Sequence, residues 1–118
     1  MRDLRLRTRQ FALRIIRVHR ALPKTGDSRV LGDQLLRSGT SVGAHYREAF
    51  RAKSSADFVS KCEGALQELD ETQYWMELII DSNMFRASRL APLMKECDEL
   101  IAMFVARTKS TKRKMARA

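Results

Sequence analysis

The chain has 118 residues, of which 44% are apolar, and a formal net charge of +9, and this length corresponds to a single domain. Five glycines and two prolines are too few turn residues for a fold of many short strands. The longest apolar run is residues 100–106, and the arginine-rich N-terminus has no apolar segment, so the sequence predicts neither a membrane span nor a secretory signal.

Apolar residues recur every three or four positions in four segments, which is the spacing of helices that pack in a bundle. Pro23 ends the first segment, because the residue before a proline disfavours the helical conformation. Asp27 or Ser28 is a suitable cap for the second helix, and Ser54 for the third. Pro92 falls in the first turn of the fourth helix, where its missing N–H costs little. The predicted helices cover about residues 3–22, 28–52, 55–82 and 88–108.

The short connections between these segments predict antiparallel neighbours. We therefore expect an all-α fold, an up-down-up-down four-helix bundle over residues 1–108, followed by a basic flexible tail over residues 109–118. The charge is concentrated at the two ends: residues 1–20 and 107–118 each carry a net +6, and the body between them is slightly acidic. The acidic face of the third helix is expected to form ion pairs with Arg37, Arg47 or Arg51, and an acidic lining of a ring that binds a basic partner is the alternative.

Two basic ends attract polyanions, and such binding weakens with salt. The sequence therefore predicts contact with RNA or DNA, although a basic tail is also typical of a solvated segment without a partner. The candidate phosphate contacts are the basic residues of both ends and two arginines of the second helix, namely Arg2, Arg5, Arg7, Arg9, Arg37, Arg47, Lys109, Lys112, Arg113, Lys114 and Arg117.

The first and third helices each have a second apolar face, which usually covers a partner, although a wider core stripe with scattered surface apolar residues is the alternative. Gly39 and Gly43 each destabilise a helix interior by about 1 kcal/mol relative to alanine. Their presence indicates that another helix approaches closely there. The alternative is that this stretch contacts phosphate beside Arg37 and Arg47. We therefore predict self-association. The candidate interface residues are Leu6, Leu13, Ile16, Gly39, Gly43, Tyr74, Trp75 and Leu78.

No motif for catalysis, metal binding or a cofactor is present in the sequence. The only histidines, His19 and His45, do not follow a glutamate at the spacing of a di-iron bundle, and a serine near His45 lacks an oxyanion hole. Cys62 and Cys97 occupy core-type positions and are expected to be buried, reduced thiols of a cytoplasmic protein. We predict no enzymatic activity, no metal and no cofactor.

Residues 34–49, Gln-Leu-Leu-Arg-Ser-Gly-Thr-Ser-Val-Gly-Ala-His-Tyr-Arg-Glu-Ala, resemble the signature of the 23S rRNA intervening-sequence proteins. Residues 22–23, 51–58 and 74–78 fit the same family, and the resemblance covers about residues 8–108. The sequence departs from it at two positions, since family members usually have alanine in place of Gly39 and asparagine in place of His45. This second difference puts in doubt any family role of that asparagine.

The resemblance implies a four-helix bundle that assembles into a ring-shaped homopentamer without enzymatic activity. A related branch is the accessory variability determinant of diversity-generating retroelements, which works with a reverse transcriptase and RNA. Two functions follow as hypotheses. One is a non-enzymatic oligomeric scaffold that contacts RNA or a nucleoprotein through its basic ends. The other is a protein–protein adaptor for a product encoded nearby, such as a reverse transcriptase, without nucleic-acid binding.

Overall fold

A computed structural model of the chain describes residues 3–117. These residues form four α-helices and no strand: α1 (Leu4–Ala21), α2 (Gly26–Phe50), α3 (Ser55–Asp81) and α4 (Ala87–Arg117). Each helix packs on the next one along the chain, and α4 returns to α1, which it approaches least closely. The predicted all-α fold of four helices is confirmed. None of the helices in the described part of the chain combines the length and hydropathy needed to cross a bilayer.

The helix starts follow from local side chains. The Asp3 carboxylate accepts a hydrogen bond from the Arg5 N–H at 2.9 Å and caps α1, and the Ser54 hydroxyl accepts from the Asp57 N–H at 3.1 Å and caps α3. Helix α2 begins at Gly26, slightly earlier than predicted, and its N-cap residue Thr25 makes no side-chain cap bond. Gly26 has a φ of 58°, a left-handed conformation that glycine adopts without steric cost.

The core lies along the line where the four helices meet. Phe11, Leu35, Leu69 and Phe104 are fully buried there, one from each helix. The Phe104 ring meets the Tyr46 ring edge to face, with 5.5 Å between centroids, which is a favoured aromatic geometry. The apolar spacing that predicted the helices therefore also identifies the faces that pack together.

The prediction of a flexible tail over residues 109–118 is wrong for the part that the structure describes, because α4 continues to Arg117. The segment contains no glycine or proline, and lysine, arginine, methionine and alanine are good helix formers. Positive side chains also interact favourably with the negative end of the helix dipole. The Lys112 ammonium lies 3.0 Å from the Glu63 carboxylate, so this extension runs beside the first turns of α3. Ala118 lies outside the described residues.

Candidate nucleic-acid interface

An open groove of about 500 Å³ runs between the first half of α1 and the second half of α2. Three arginines line it, Arg5 and Arg9 from α1 and Arg47 from α2, with Asp3 as the one acidic residue. Its other lining residues are small or apolar: Leu6, Thr8, Ala12, Thr40, Gly43 and Ala44. The groove thus combines a net positive charge with an apolar surface.

Gly39 and Gly43 of α2 allow α1 to approach α2 closely beside the groove. A Cβ added at Gly39 would lie 2.7 Å from Cγ1 of Ile15, and one at Gly43 would lie 3.3 Å from Oγ1 of Thr8. Both glycines therefore contact α1 of the same chain, and Gly39 is buried there. The structure corrects the assignment of Gly39 to an interface between chains, because its close neighbour is a side chain of its own fold.

Arg9 and Arg47 are exposed, and within residues 3–117 neither makes an ion pair or hydrogen bond. The guanidinium of Arg5 lies 4.2 Å from the centroid of the Phe50 ring, an arrangement that is favourable because the ring face is negative. The Phe50 side chain is 56% exposed. Sequence reasoning missed Phe50, although its position seven residues after Gly43 places it on the groove side of α2.

Two of the predicted phosphate contacts on the first two helices are instead held in ion pairs. Arg7 donates to Glu96 at 2.7 and 2.8 Å and to Glu99 at 2.5 Å, and these carboxylates raise the pKa of its guanidinium. Arg37 donates to Glu71 at 2.5 Å and to Glu68 at 3.4 Å, which raises its pKa as well. The pairing of Arg37 with the acidic face of α3 follows the expectation from the sequence.

The basic residues of the C-terminal end also divide into those that form an ion pair and those that do not. Lys112 is exposed and pairs with Glu63. Four others are also exposed but make no ion pair within residues 3–117, namely Lys109, Arg113, Lys114 and Arg117. Because α4 runs antiparallel to α3 and ends beside its first turns, these side chains lie at the same end of the bundle as the start of α1 and the groove. Arg2 lies outside the described residues.

The candidate interface residues differ in exposure. Leu6, Leu13 and Tyr74 are 53%, 43% and 53% exposed, whereas Ile16, Trp75 and Leu78 are half-buried. The Tyr74 and Trp75 rings lie 5.3 Å apart, and the buried indole N–H of Trp75 has no hydrogen-bond partner among the described residues. Leu6 lines the groove, whereas Leu13 and Tyr74 leave apolar surface on the outer sides of α1 and α3.

The hydroxyl groups near His45 are used within the fold. Thr40 donates to the Leu36 carbonyl at 2.7 Å and Ser41 to the Arg37 carbonyl at 2.6 Å. The His45 ring packs over Gly64, where an added Cβ would lie 2.9 Å from Nδ1, and its Nε2 lies 3.6 Å from a Glu68 oxygen. Over residues 3–117 no three metal-ligating side chains come together.

Cys62 and Cys97 are free and buried. Burial is the main cause that raises the pKa of Cys62 to about 11 and that of Cys97 to about 12. Because the thiolate is the reactive form, both residues act as packing groups at neutral pH. They lie in the core and not in the groove.

Comparison with known proteins places this arrangement in a family. The sequence profile of the 23S rRNA-intervening sequence proteins matches residues 3–106, while a comparison with curated proteins gives no match. Among solved structures, a protein of unknown function from the S23 ribosomal protein family of Bacteroides thetaiotaomicron is similar, with 34% sequence identity and a TM-score of 0.86. The similarity covers 91% of this chain and 99% of that one. The chain therefore belongs to the 23S rRNA-intervening sequence protein family.

Proposed function

We propose that the protein is a non-enzymatic scaffold of the cytoplasm that contacts RNA through the basic end of its bundle. The observation that carries this proposal is the pair Arg9 and Arg47, which face one groove from two helices without an acidic partner among the described residues. Arginine is well suited to bind phosphate because its planar guanidinium donates two parallel hydrogen bonds.

The ion pairs of the fold separate basic residues that are held by carboxylates from basic residues that are available to bind phosphate. A phosphate that binds Arg7 must displace two carboxylates from a side chain that is only 13% exposed. No such competition exists, within the described part of the chain, at Arg9, at Arg47 or at the four basic residues of α4 that make no ion pair. The phosphate contacts are therefore Arg9 and Arg47 of the groove, together with Lys109, Arg113, Lys114 and Arg117.

The test compares two double variants of equal charge. Arg9→Gln/Arg47→Gln removes two of the three groove arginines, and Arg20→Gln/Arg29→Gln removes two exposed arginines from the other end of α1 and α2. Binding of a labelled RNA is measured by fluorescence anisotropy over a range of salt concentrations. Since each phosphate contact contributes about 0.7 to the slope of log affinity against log salt for a single strand, the groove variant is expected to lower that slope by about 1.4.

The control variant is expected to retain most of the wild-type slope, because its arginines lie far from the groove. Equal loss in both variants would mean that only net charge matters and would contradict a localised site. A wild-type protein that fails to retard RNA or DNA at low salt would contradict nucleic-acid binding and favour the protein–protein adaptor.

We further propose that copies of the chain associate, as a ring-shaped homopentamer, through apolar positions such as Leu13 and Tyr74. Their exposure, 43% and 53%, supports a covered surface in the assembly. Association repeats the basic end on one particle and raises avidity for a long polyanion. Native mass measurement tests this assembly, and Leu13→Glu/Tyr74→Glu is expected to yield monomers. A wild-type monomer at micromolar concentration would contradict it.

A further inference from the structure

The groove between α1 and α2 has an aromatic side chain at one end. Phe50 follows Arg47 by three residues and Gly43 by seven, so all three lie on one side of α2. The Phe50 ring is 56% exposed and does not belong to the apolar core. The groove residue Arg5 lies over this ring at 4.2 Å, which joins the ring to the line of arginines.

Electrostatics indicates what can occupy this surface. Three arginines against one aspartate line the groove, so a second copy that presented the same patch would place arginines against arginines. A polyanion neutralises them. The apolar part of the groove, which includes the half-exposed Leu6, has no role in binding phosphate alone and fits a ligand that also carries flat apolar groups.

We propose that this groove binds single-stranded nucleic acid, with phosphates at Arg9 and Arg47 and an unpaired base against the Arg5–Phe50 pair. The inference rests on the proposed function and adds the form of the ligand. Unpaired bases stack on aromatic rings and on guanidinium planes, whereas the bases of a duplex already stack on one another. A volume of about 500 Å³ is that of a site for a small ligand, which suits a few nucleotides of one strand.

The experiment measures affinity for labelled oligouridylate RNA as a single strand and for the same strand annealed to oligoadenylate, at one low salt concentration. The variants are Phe50→Ala, Phe50→Trp and the control Val30→Ala. Val30 is 61% exposed and lies near the other end of α2, so the control removes exposed apolar surface away from the groove.

The wild-type protein is expected to bind the single strand more tightly than the duplex. Phe50→Ala is expected to weaken single-strand binding roughly 5- to 150-fold, the range for loss of one stacked base, and to leave duplex binding unchanged. Phe50→Trp and Val30→Ala retain wild-type affinity. The salt slope of Phe50→Ala equals that of the wild type, because no charge is removed.

Equal binding of both forms, or a Phe50→Ala variant that behaves like Val30→Ala, would overturn the single-strand assignment and leave the proposed function intact. A Phe50→Ala variant with an altered native mass would also overturn it, since the ring would then belong to an interface between copies. Failure of the wild type to bind either RNA form would instead refute the proposed function itself.

Discussion

Replacing Gly39 by alanine tests the closest contact between α1 and α2. The new Cβ would lie 2.7 Å from Cγ1 and 2.8 Å from Cγ2 of Ile15. Ile15 is fully buried and β-branched, so its side chain has one strongly preferred rotamer on a helix and cannot turn away. Overpacking of this kind costs about 1–3 kcal/mol, while alanine in place of glycine stabilises a helix by about 1 kcal/mol. We therefore expect Gly39→Ala to lower the free energy of unfolding by about 1 kcal/mol.

Urea unfolding followed by circular dichroism measures the effect, with Gly32→Ala as the matched control. At Gly32 the nearest atom to an added Cβ is the movable Cδ1 of Leu22, at 3.3 Å, so this variant is expected to gain up to about 1 kcal/mol. Ile15→Ala removes Cγ1 and Cγ2, the two atoms that would lie closest to a Cβ added at Gly39. In that background Gly39→Ala is expected to stabilise the protein, which gives a coupling energy of about 1–2 kcal/mol. A single Gly39→Ala variant that is more stable than the wild type would refute the packing argument, as would zero coupling.

Three further changes test other parts of the fold. Arg7→Gln removes the donor that joins α1 to two carboxylates of α4, and is expected to lower the free energy of unfolding by about 2–4 kcal/mol in the same urea assay. Thr72→Val leaves the buried hydroxyl of Ser38 without the partner that lies 2.8 Å away, at a cost of about 1–3 kcal/mol, and adding Ser38→Ala is expected to restore part of the loss. The raised pKa values of Cys62 and Cys97, about 11 and about 12, predict an alkaline loss of stability. The unfolded chain releases these protons from about pH 9 upward while the folded chain retains them, so the free energy of unfolding falls between about pH 9 and 12. A thiol reagent at neutral pH is expected to react only as the protein unfolds, and rapid labelling of the native protein would contradict this burial.

The sequence predicted the helices because their boundaries depend on local chemistry. Pro23 and the Ser54 cap lie where the structure ends α1 and begins α3. The extent of α4 was not predictable in the same way. A basic segment is typical of a tail. Lys112, however, has an acidic partner on α3, Glu63, which lies 49 residues earlier in the chain. Local composition gives no signal of such a long-range ion pair.

The sequence predicted that basic residues of the first two helices form a candidate site, but it did not predict which of them line the groove. Arg7 and Arg9 are the same residue type in the same basic segment. They are two positions apart on a helix, however, so their side chains point in directions that differ by about 200°. That rotation turns Arg7 toward the acidic residues of α4 and Arg9 toward the groove. Which direction meets an acid depends on how α1 packs against α4. Phe50 was missed for a related reason, because a single aromatic residue at the end of a helix fits the core as well as the surface.

The division between paired and unpaired arginines also predicts how salt acts on this protein. Salt screens exposed charges strongly and part-buried ion pairs much less. The Arg7–Glu96 pair is 13% and 17% exposed, so we expect it to persist at salt concentrations that would break the proposed phosphate contacts of Arg9 and Arg47. If nucleic acid binds at the groove as proposed, it is expected to dissociate from a folded protein as salt rises, and circular dichroism recorded during the binding titration is expected to stay constant. A loss of helix that parallels the loss of binding would mean that the paired arginines, and not the groove, govern the interaction.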